Sequence, residues 1–172
     1  MRGWQLDLVA KVAENVVGRD GWLLEVGSFY GNSASAFARA ARQQGSRMPI
    51  VGLDTWLGER KMWAKKGPWL QLDKHGTPRL WEQFMTNIIH WQLTDQIIPF
   101  RLTSGEGVPF LLSLVRTGVI PPPAAIYLDT AHTYHETLLE LESAWPLLAS
   151  GGILVGDDFD LWWPPVQQSV LE

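Results

Sequence analysis

"LLEVGSFYGNSASAF", residues 23–37, is an apolar run that breaks at a glycine and resumes as a helical pattern. The run "WLLEVG" (22–27) has strand length and is nearly continuous in apolar residues, as expected of a strand covered by helices on both faces. Gly27 and Gly31 free the backbone to turn tightly and to approach a ligand closely. Ser33 opens a helix predicted over 33–44 and stopped by Gly45. A strand, glycine turn and helix in this order offer unpaired N–H groups and the positive end of a helix dipole to whatever occupies the turn. The pattern from Glu25 is E-x-G-x-x-x-G rather than G-x-G-x-x-G, which argues against a nicotinamide dinucleotide. Taken alone, the turn also has a purely structural reading.

Working outward, four more apolar runs of strand length follow: "PIVGLD" (49–54), "IIPFRL" (97–102), "AAIYLD" (124–129) and "GILVGD" (152–157). Helical periodicity separates them, over 4–17, 79–92, 106–116 and 134–149, with Pro146 expected to kink the last of these. This alternation predicts an α/β fold, a doubly wound, mainly parallel Rossmann-like sheet with right-handed crossovers.

The chain has 172 residues, 46% hydrophobic and 19% charged, with a net charge of −4. That suits one domain spanning 1–172 with a real core. The absence of a basic stripe argues against a nucleic-acid partner. There is no cysteine, hence no disulfide, thiolate metal site or cysteine nucleophile. The first residues, "MRGWQLDLVAKVAENVVG", carry Asp7, Lys11 and Glu14 through their apolar positions and do not read as a signal peptide. No apolar run nears the roughly 18 residues of a membrane span. A cytoplasmic protein with no membrane partner is the default expectation. A G-x-S-x-G elbow is missing too, and Ser28 lacks that frame, which disfavours a hydrolase.

Five of the ten tryptophans (Trp56, Trp63, Trp69, Trp81 and Trp91) fall between residues 55 and 95. The irregular stretch 55–79, with "ERKMWAKKGPWLQLDKHG", suits a binding loop. The expectation is a helical, Trp-rich lid insertion over 55–95, with core filling as the alternative. Asp54 ends the second run, one βαβ unit after the glycine turn, where an acid can accept hydrogen bonds from both hydroxyls of a ribose. A turn acid is the plainer reading.

Glu25-Val26-Gly27, Gly31, Ser33, Asp54, "LDTAH" (128–132) and "GGILVGDDF" (151–159) together resemble the class I S-adenosylmethionine-dependent methyltransferases. Within them the pattern is most similar to the metal-dependent O-methyltransferases, such as catechol O-methyltransferase and the sugar O-methyltransferases of macrolide pathways. The resemblance spans roughly residues 20–160 and is thin between 56 and 95. It implies sheet order 3-2-1-4-5, with S-adenosylmethionine as cofactor. Gly27 and the backbone of Phe29, Tyr30 and Gly31 would line its methionine part, Ser33 would contact its carboxylate, and Glu25 would be a further cofactor residue. Asp54 would hold the ribose, Thr103 and Ser104 would lie by the adenine, and Asp129 would border the cofactor. The family fold continues past strand five. The C-terminal "WWPPVQQSVLE" (162–172) reads as the start of the next helix, so the last two strands of the family are expected to be missing. A homodimer built through Trp162 and Trp163 is one way to cover the resulting sheet edge.

Asp129 ends the fourth run, and Asp157 and Asp158 end the fifth. If these strands are neighbours, about 4.8 Å apart, three carboxylates share a small volume and repel one another unless a cation sits among them. Oxygen donors select Mg²⁺, or Mn²⁺ or Ca²⁺. Helix capping and turn formation are the plainer roles. His132, three residues after Asp129, can face the same cavity and take a proton from a substrate hydroxyl. The resemblance implies the same: the matching position is a lysine in the catechol enzyme and resembles the histidine base of the sugar enzymes. His135 is a weaker candidate and Tyr134 a neighbour. His75 and His90 have no constellation around them. The expected reaction is methyl transfer to the hydroxyl of a small molecule, a sugar or a phenol. The alternative is an inactive cofactor-binding homologue acting as a scaffold, or one of the relatives described as hydroxylases.

Overall fold

A computed structural model describes every residue except 1–2, 19–20, 66–67 and 131. Among the described residues, β1 (Leu23–Val26), β2 (Ile50–Leu53), β3 (Ile97–Phe100), β4 (Ala125–Leu128) and β5 (Ile153–Gly156) form one parallel sheet in the order β3-β2-β1-β4-β5. Each strand forms within the apolar run that predicts it and is shorter than that run. The chain turns away at Gly27, Asp54 and Asp129, where the ladder ends.

The helices are α1 (Gly3–Val16), α2 (Asn32–Gln43), α3 (Arg60–Lys65), α4 (Leu80–His90), α5 (Ser104–Arg116), α6 (Tyr134–Ala144) and α7 (Pro164–Leu171). One face of the sheet is covered by α1, α2 and α4, through Val9, Val12, Phe37, Phe84 and Ile88. The other is covered by α5 and α6, through Val108, Leu111 and Ala144, and α7 packs on α6. Pro146 ends α6 rather than kinking it. Its ring cannot continue the helix, and Trp145–Leu147 tightens into a 3₁₀ turn. α5 starts earlier than predicted because Thr103 and Glu106 form a reciprocal cap: the Thr103 hydroxyl accepts from the Glu106 N–H and donates to its carboxylate.

The Trp-rich stretch divides. Trp56 is completely buried, edge-on to Trp81 and against Phe84, while Trp81 and Trp91 pack against the same core. Only Trp63 and Trp69 are exposed, at 44% and 62%. Three of the five tryptophans expected in a lid therefore pack on the core: Trp81 on α4, the crossover helix between β2 and β3 that must bury its apolar stripe, Trp91 at its C-terminal end, and Trp56, in the turn after β2, against Phe84 of the same helix.

Glu25 lies among buried residues in the middle of the sheet, fully inaccessible. Neither carboxyl oxygen has a hydrogen-bond partner of normal geometry among the described residues. Burial pushes its pKa from 4.5 to about 7, although the nearby Ser28 and Ser33 hydroxyls pull the other way. The folded state therefore holds this proton more tightly than the unfolded chain. Its contribution to stability is complete below pH 4.5 and is lost as pH rises toward 7, by an amount on the order of 3 kcal/mol. Glu25→Gln keeps the shape and removes the charge. Denaturation of both proteins from pH 5 to 8 is expected to show the variant gaining on the wild type as pH rises; parallel curves would contradict a neutral buried carboxyl.

Candidate functional site

The turn after β1 is built around Asp54. One of its carboxylate oxygens accepts from the Phe29 N–H at 2.8 Å and the other from the Trp56 N–H at 2.7 Å. The Trp56 indole donates to the Phe29 carbonyl at 2.9 Å, and Asn87 on α4 donates to the Tyr30 carbonyl at 2.9 Å. These bonds hold Phe29 at a φ of 45° and Gly31 at 77°, the left-handed region that disfavours a Cβ. At Gly27 the reason for glycine is steric as well. A Cβ there would stand 1.7 Å from the Asp129 carbonyl oxygen, so only hydrogen lets the tips of β1 and β4 meet.

A cavity of about 460 Å³ opens at these tips. Gly27, Phe29, Asp54, Thr103, Ser104, Asp129 and His132 all line it. Four other expected cofactor contacts do not. Gly31 is pressed against Phe84 and Ile88 of α4, 3.0 Å from where its Cβ would be, so its glycine serves helix packing. Tyr30 turns outward and donates to the Trp69 carbonyl. Glu25 lies in the core. Ser33 is inside the first turn of α2 rather than capping it, since Gly31 holds the cap position. Trp63 and Trp69 do not line the cavity either; Glu59 and Met62, flanking and within α3, do.

The acids after β4 and β5 separate in an unexpected way. Asp129, His132 and Asp158 each present one donor atom within 4.8 Å of the others. His132 Nε2 is 3.3 Å from Asp129 Oδ1 and in direct contact with Asp158 Oδ2. Asp157, expected as the third acid, turns aside: one oxygen accepts from the Tyr127 hydroxyl at 2.9 Å and the other from the Asp158 N–H at 2.8 Å. It braces Asp158 instead of joining the cluster. The two acids lie past the end of β5, where Asp158 takes a left-handed φ of 59° and the chain turns. Burial alone would lower the His132 pKa. The hydrogen bond to Asp129 and the charges of Asp158, Asp129 and Glu59 outweigh it and raise the pKa. Burial raises that of Asp158 while His132 lowers it. Tyr127 is held neutral, chiefly by burial and then by the Asp129 and Asp157 charges. Two carboxylates fit a hard divalent cation, whereas the imidazole nitrogen fits softer ions better.

Glu140 on α6 was not singled out in the sequence. It is 6% exposed, accepts from the Thr130 hydroxyl at 2.5 Å, and lines both this cavity and a second one of about 280 Å³. Burial raises its pKa against the pull of Thr130 and Ser104. The signal was present in the i, i+4 pair Glu136 and Glu140. Of the other histidines, His135 is exposed beside Tyr134, and His75 and His90 are exposed away from the cavity.

An open parallel sheet with a glycine turn after β1, an acid after β2 and a cavity where the strand order reverses defines a cofactor-binding α/β domain. The chain belongs to a methyltransferase-domain family, which it matches over residues 24–159, and its fold is that of the class I S-adenosylmethionine-dependent methyltransferases. Calicheamicin methyltransferase CalS11 shares 21% identity at a TM-score of 0.67, covering 97% of this chain and 69% of its own. The O-methyltransferase NovP shares 20% at 0.69, covering 98% and 69%. The S-adenosylhomocysteine-bound Podospora anserina methyltransferase PaMTH1 shares 16% at 0.54, covering 90% and 50%. No curated protein sequence matches the chain. Among the described residues no helix is long and apolar enough to cross a membrane.

Gly27→Ala is expected to cost at least 3 kcal/mol or to abolish folding, because left-handed strain of about 1–2 kcal/mol adds to a backbone clash. Gly45→Ala, also at positive φ but with nothing within 4 Å, should cost only the strain. Urea denaturation of the two variants checks this; equal losses would mean that the β1–β4 approach is not tight.

Proposed function

We propose that this domain is an S-adenosylmethionine-dependent O-methyltransferase that acts on a hydroxyl of a small molecule, assisted by a divalent cation such as Mg²⁺. The observation that carries the reading is the meeting of Gly27, Asp54, Asp129 and His132 on one cavity, with Asp158 grouped behind Asp129 and His132. The similarity to O-methyltransferases, CalS11 among them, a TDP-rhamnose 3'-O-methyltransferase, favours a sugar hydroxyl, with a phenol as the other candidate.

When bound, S-adenosylmethionine supplies a methyl group on a cationic sulfonium. Asp54 would accept from the ribose hydroxyls on the lone pairs left by its two N–H bonds. Gly27 leaves the backbone bare where the methionine part would lie, and Thr103 and Ser104 border the adenine end. A cavity walled by Asp54, Glu59, Asp129, Glu136 and Glu140 suits a cation better than an anion. A divalent ion held by Asp129 and Asp158 would polarise the acceptor oxygen as a Lewis acid. His132 would take the acceptor proton at Nε2, which requires that this nitrogen not be engaged with the Asp129 and Asp158 carboxylates when the acceptor binds. One lone pair cannot both ligate a metal and accept a proton, so Nε2 would serve the proton and the two carboxylates the ion. The chain's main contribution is alignment of acceptor and methyl donor, which in favourable cases supplies about 7–11 kcal/mol.

Calorimetry with S-adenosylhomocysteine is expected to show binding to the wild type and a loss of at least tenfold in Asp54→Ala. Equal affinity would remove Asp54 from the ribose site. Methyl transfer from S-adenosylmethionine to sugar and phenol acceptors should fall in EDTA and in Asp158→Asn. In His132→Ala it should fall about 10²–10⁴-fold with S-adenosylhomocysteine affinity unchanged. Full turnover by His132→Ala would contradict its role as base.

A further inference from the structure

Trp163 was expected at a subunit interface together with Trp162. The two part company: Trp162 is 86% exposed, whereas Trp163 turns inward. Its indole stacks on the His132 imidazole, with ring centroids 4.6 Å apart and planes 29° from parallel. The same indole receives the Lys61 ammonium of α3, 4.2 Å from the ring centroid. One side chain from the loop after β5 thus touches both the acid–imidazole cluster and the short helix over the cavity.

Two features make this contact consequential. His132 has a φ of 59°, a conformation that a non-glycine residue keeps only when its surroundings hold it. Neighbouring Asp158 sits at the same φ, so both partners of the imidazole–carboxylate contact are on strained backbone. Trp163 itself is anchored: its N–H donates to the Asp160 carbonyl at 3.2 Å, and its own carbonyl accepts from Val166 in α7 at 3.0 Å. α3 and its flank bring Met62 and the preceding Glu59 to the cavity wall. Lys61 is exposed apart from its contact with the indole.

We propose that Trp163 is a positioning residue of the acceptor site. Its indole fixes the ring plane of His132 so that Nε2 faces Asp129 and Asp158, and its cation–π contact with Lys61 latches α3 over the cavity. The proposal rests on the reading of His132 as the base. It adds that the aromatic ring packed on His132 comes from beyond β5, not from the tryptophans of 55–95.

The test needs no acceptor. A stacked indole shifts the ring protons of His132 upfield in the NMR spectrum, with assignment by His132→Gln. That shift is expected in the wild type and in Trp163→Phe and should vanish in Trp163→Leu. Acylation of His132 by diethyl pyrocarbonate should accelerate at least tenfold in Trp163→Leu and stay within about threefold of wild type in Trp163→Phe, as general ring-stacking protection requires. Lys61→Met, an exposed change that leaves the stack intact, should keep the His132 shift and speed hydrogen exchange of the α3 amides. Unchanged ring shifts or an unchanged acylation rate in Trp163→Leu would overturn the positioning role. If that variant does not fold, equal His132 shifts in Trp163→Phe and the wild type support the role, and a shift lost in Trp163→Phe overturns it. Unchanged α3 exchange in Lys61→Met would overturn the latch. Loss of methyl transfer in His132→Ala, with these readouts flat, would leave the base reading standing and the proposal refuted. Full turnover by His132→Ala would remove the base reading, and the positioning role with it.

Discussion

Where β1 and β4 end, the Gly27 α-carbon passes so close to the Asp129 carbonyl that any side chain would collide with it. The Asp129 N–H donates to the Val26 carbonyl at 2.9 Å, and the Gly27 N–H donates to the Leu53 carbonyl at 2.8 Å. Three strand ends are thereby tied at one point. From there β1 sends the chain to one face of the sheet through α2, and β4 sends it to the other through α6. The parting of those two paths creates the cavity. The ends of the neighbouring strands deliver Asp54 and Asp129 to its rim, and the loop after β4 adds His132.

The electrostatics of this rim follow from its crowding. Glu25, Glu140 and Asp158 are all pushed toward their neutral forms by burial, and Tyr127 stays protonated beside Asp157. His132 is the basic group set among the carboxylates, and two of them hold it directly. An anionic wall with an imidazole at its centre suits a cationic cofactor and a hydroxyl that must lose its proton. The same wall makes the site sensitive to what fixes that imidazole. The Trp163 indole stacks on that imidazole from the loop after β5.

The parallel sheet was legible because apolar runs of strand length alternate with helical periodicity; its order came from the family resemblance carried by the glycine turn, Asp54 and the Asp129 region. The gathering of Gly27, Phe29, Asp54, Thr103, Ser104, Asp129 and His132 on one cavity was legible from their places at the strand ends. Directions of side chains were not. Whether Asp157 or Asp158 faces the cluster depends on the turn past β5, where Asp158 takes a left-handed φ that no spacing in the sequence announces. Gly31 reads identically whether it admits a ligand or, as here, the side chains of α4. The tryptophans of 55–95 misled because composition does not reveal that α4 is a core crossover. The contacts of Trp163 were not legible because its partners, Lys61 and His132, are 102 and 31 positions away.

The most direct test of the shared rim is a crystal structure with S-adenosylhomocysteine and Mg²⁺ soaked into the protein. The account predicts the ribose hydroxyls on Asp54, the homocysteine chain along Gly27, and the ion between Asp129 and Asp158, all in one cavity. Homocysteine density elsewhere on the molecule, or an ion bound away from both aspartates, would contradict it.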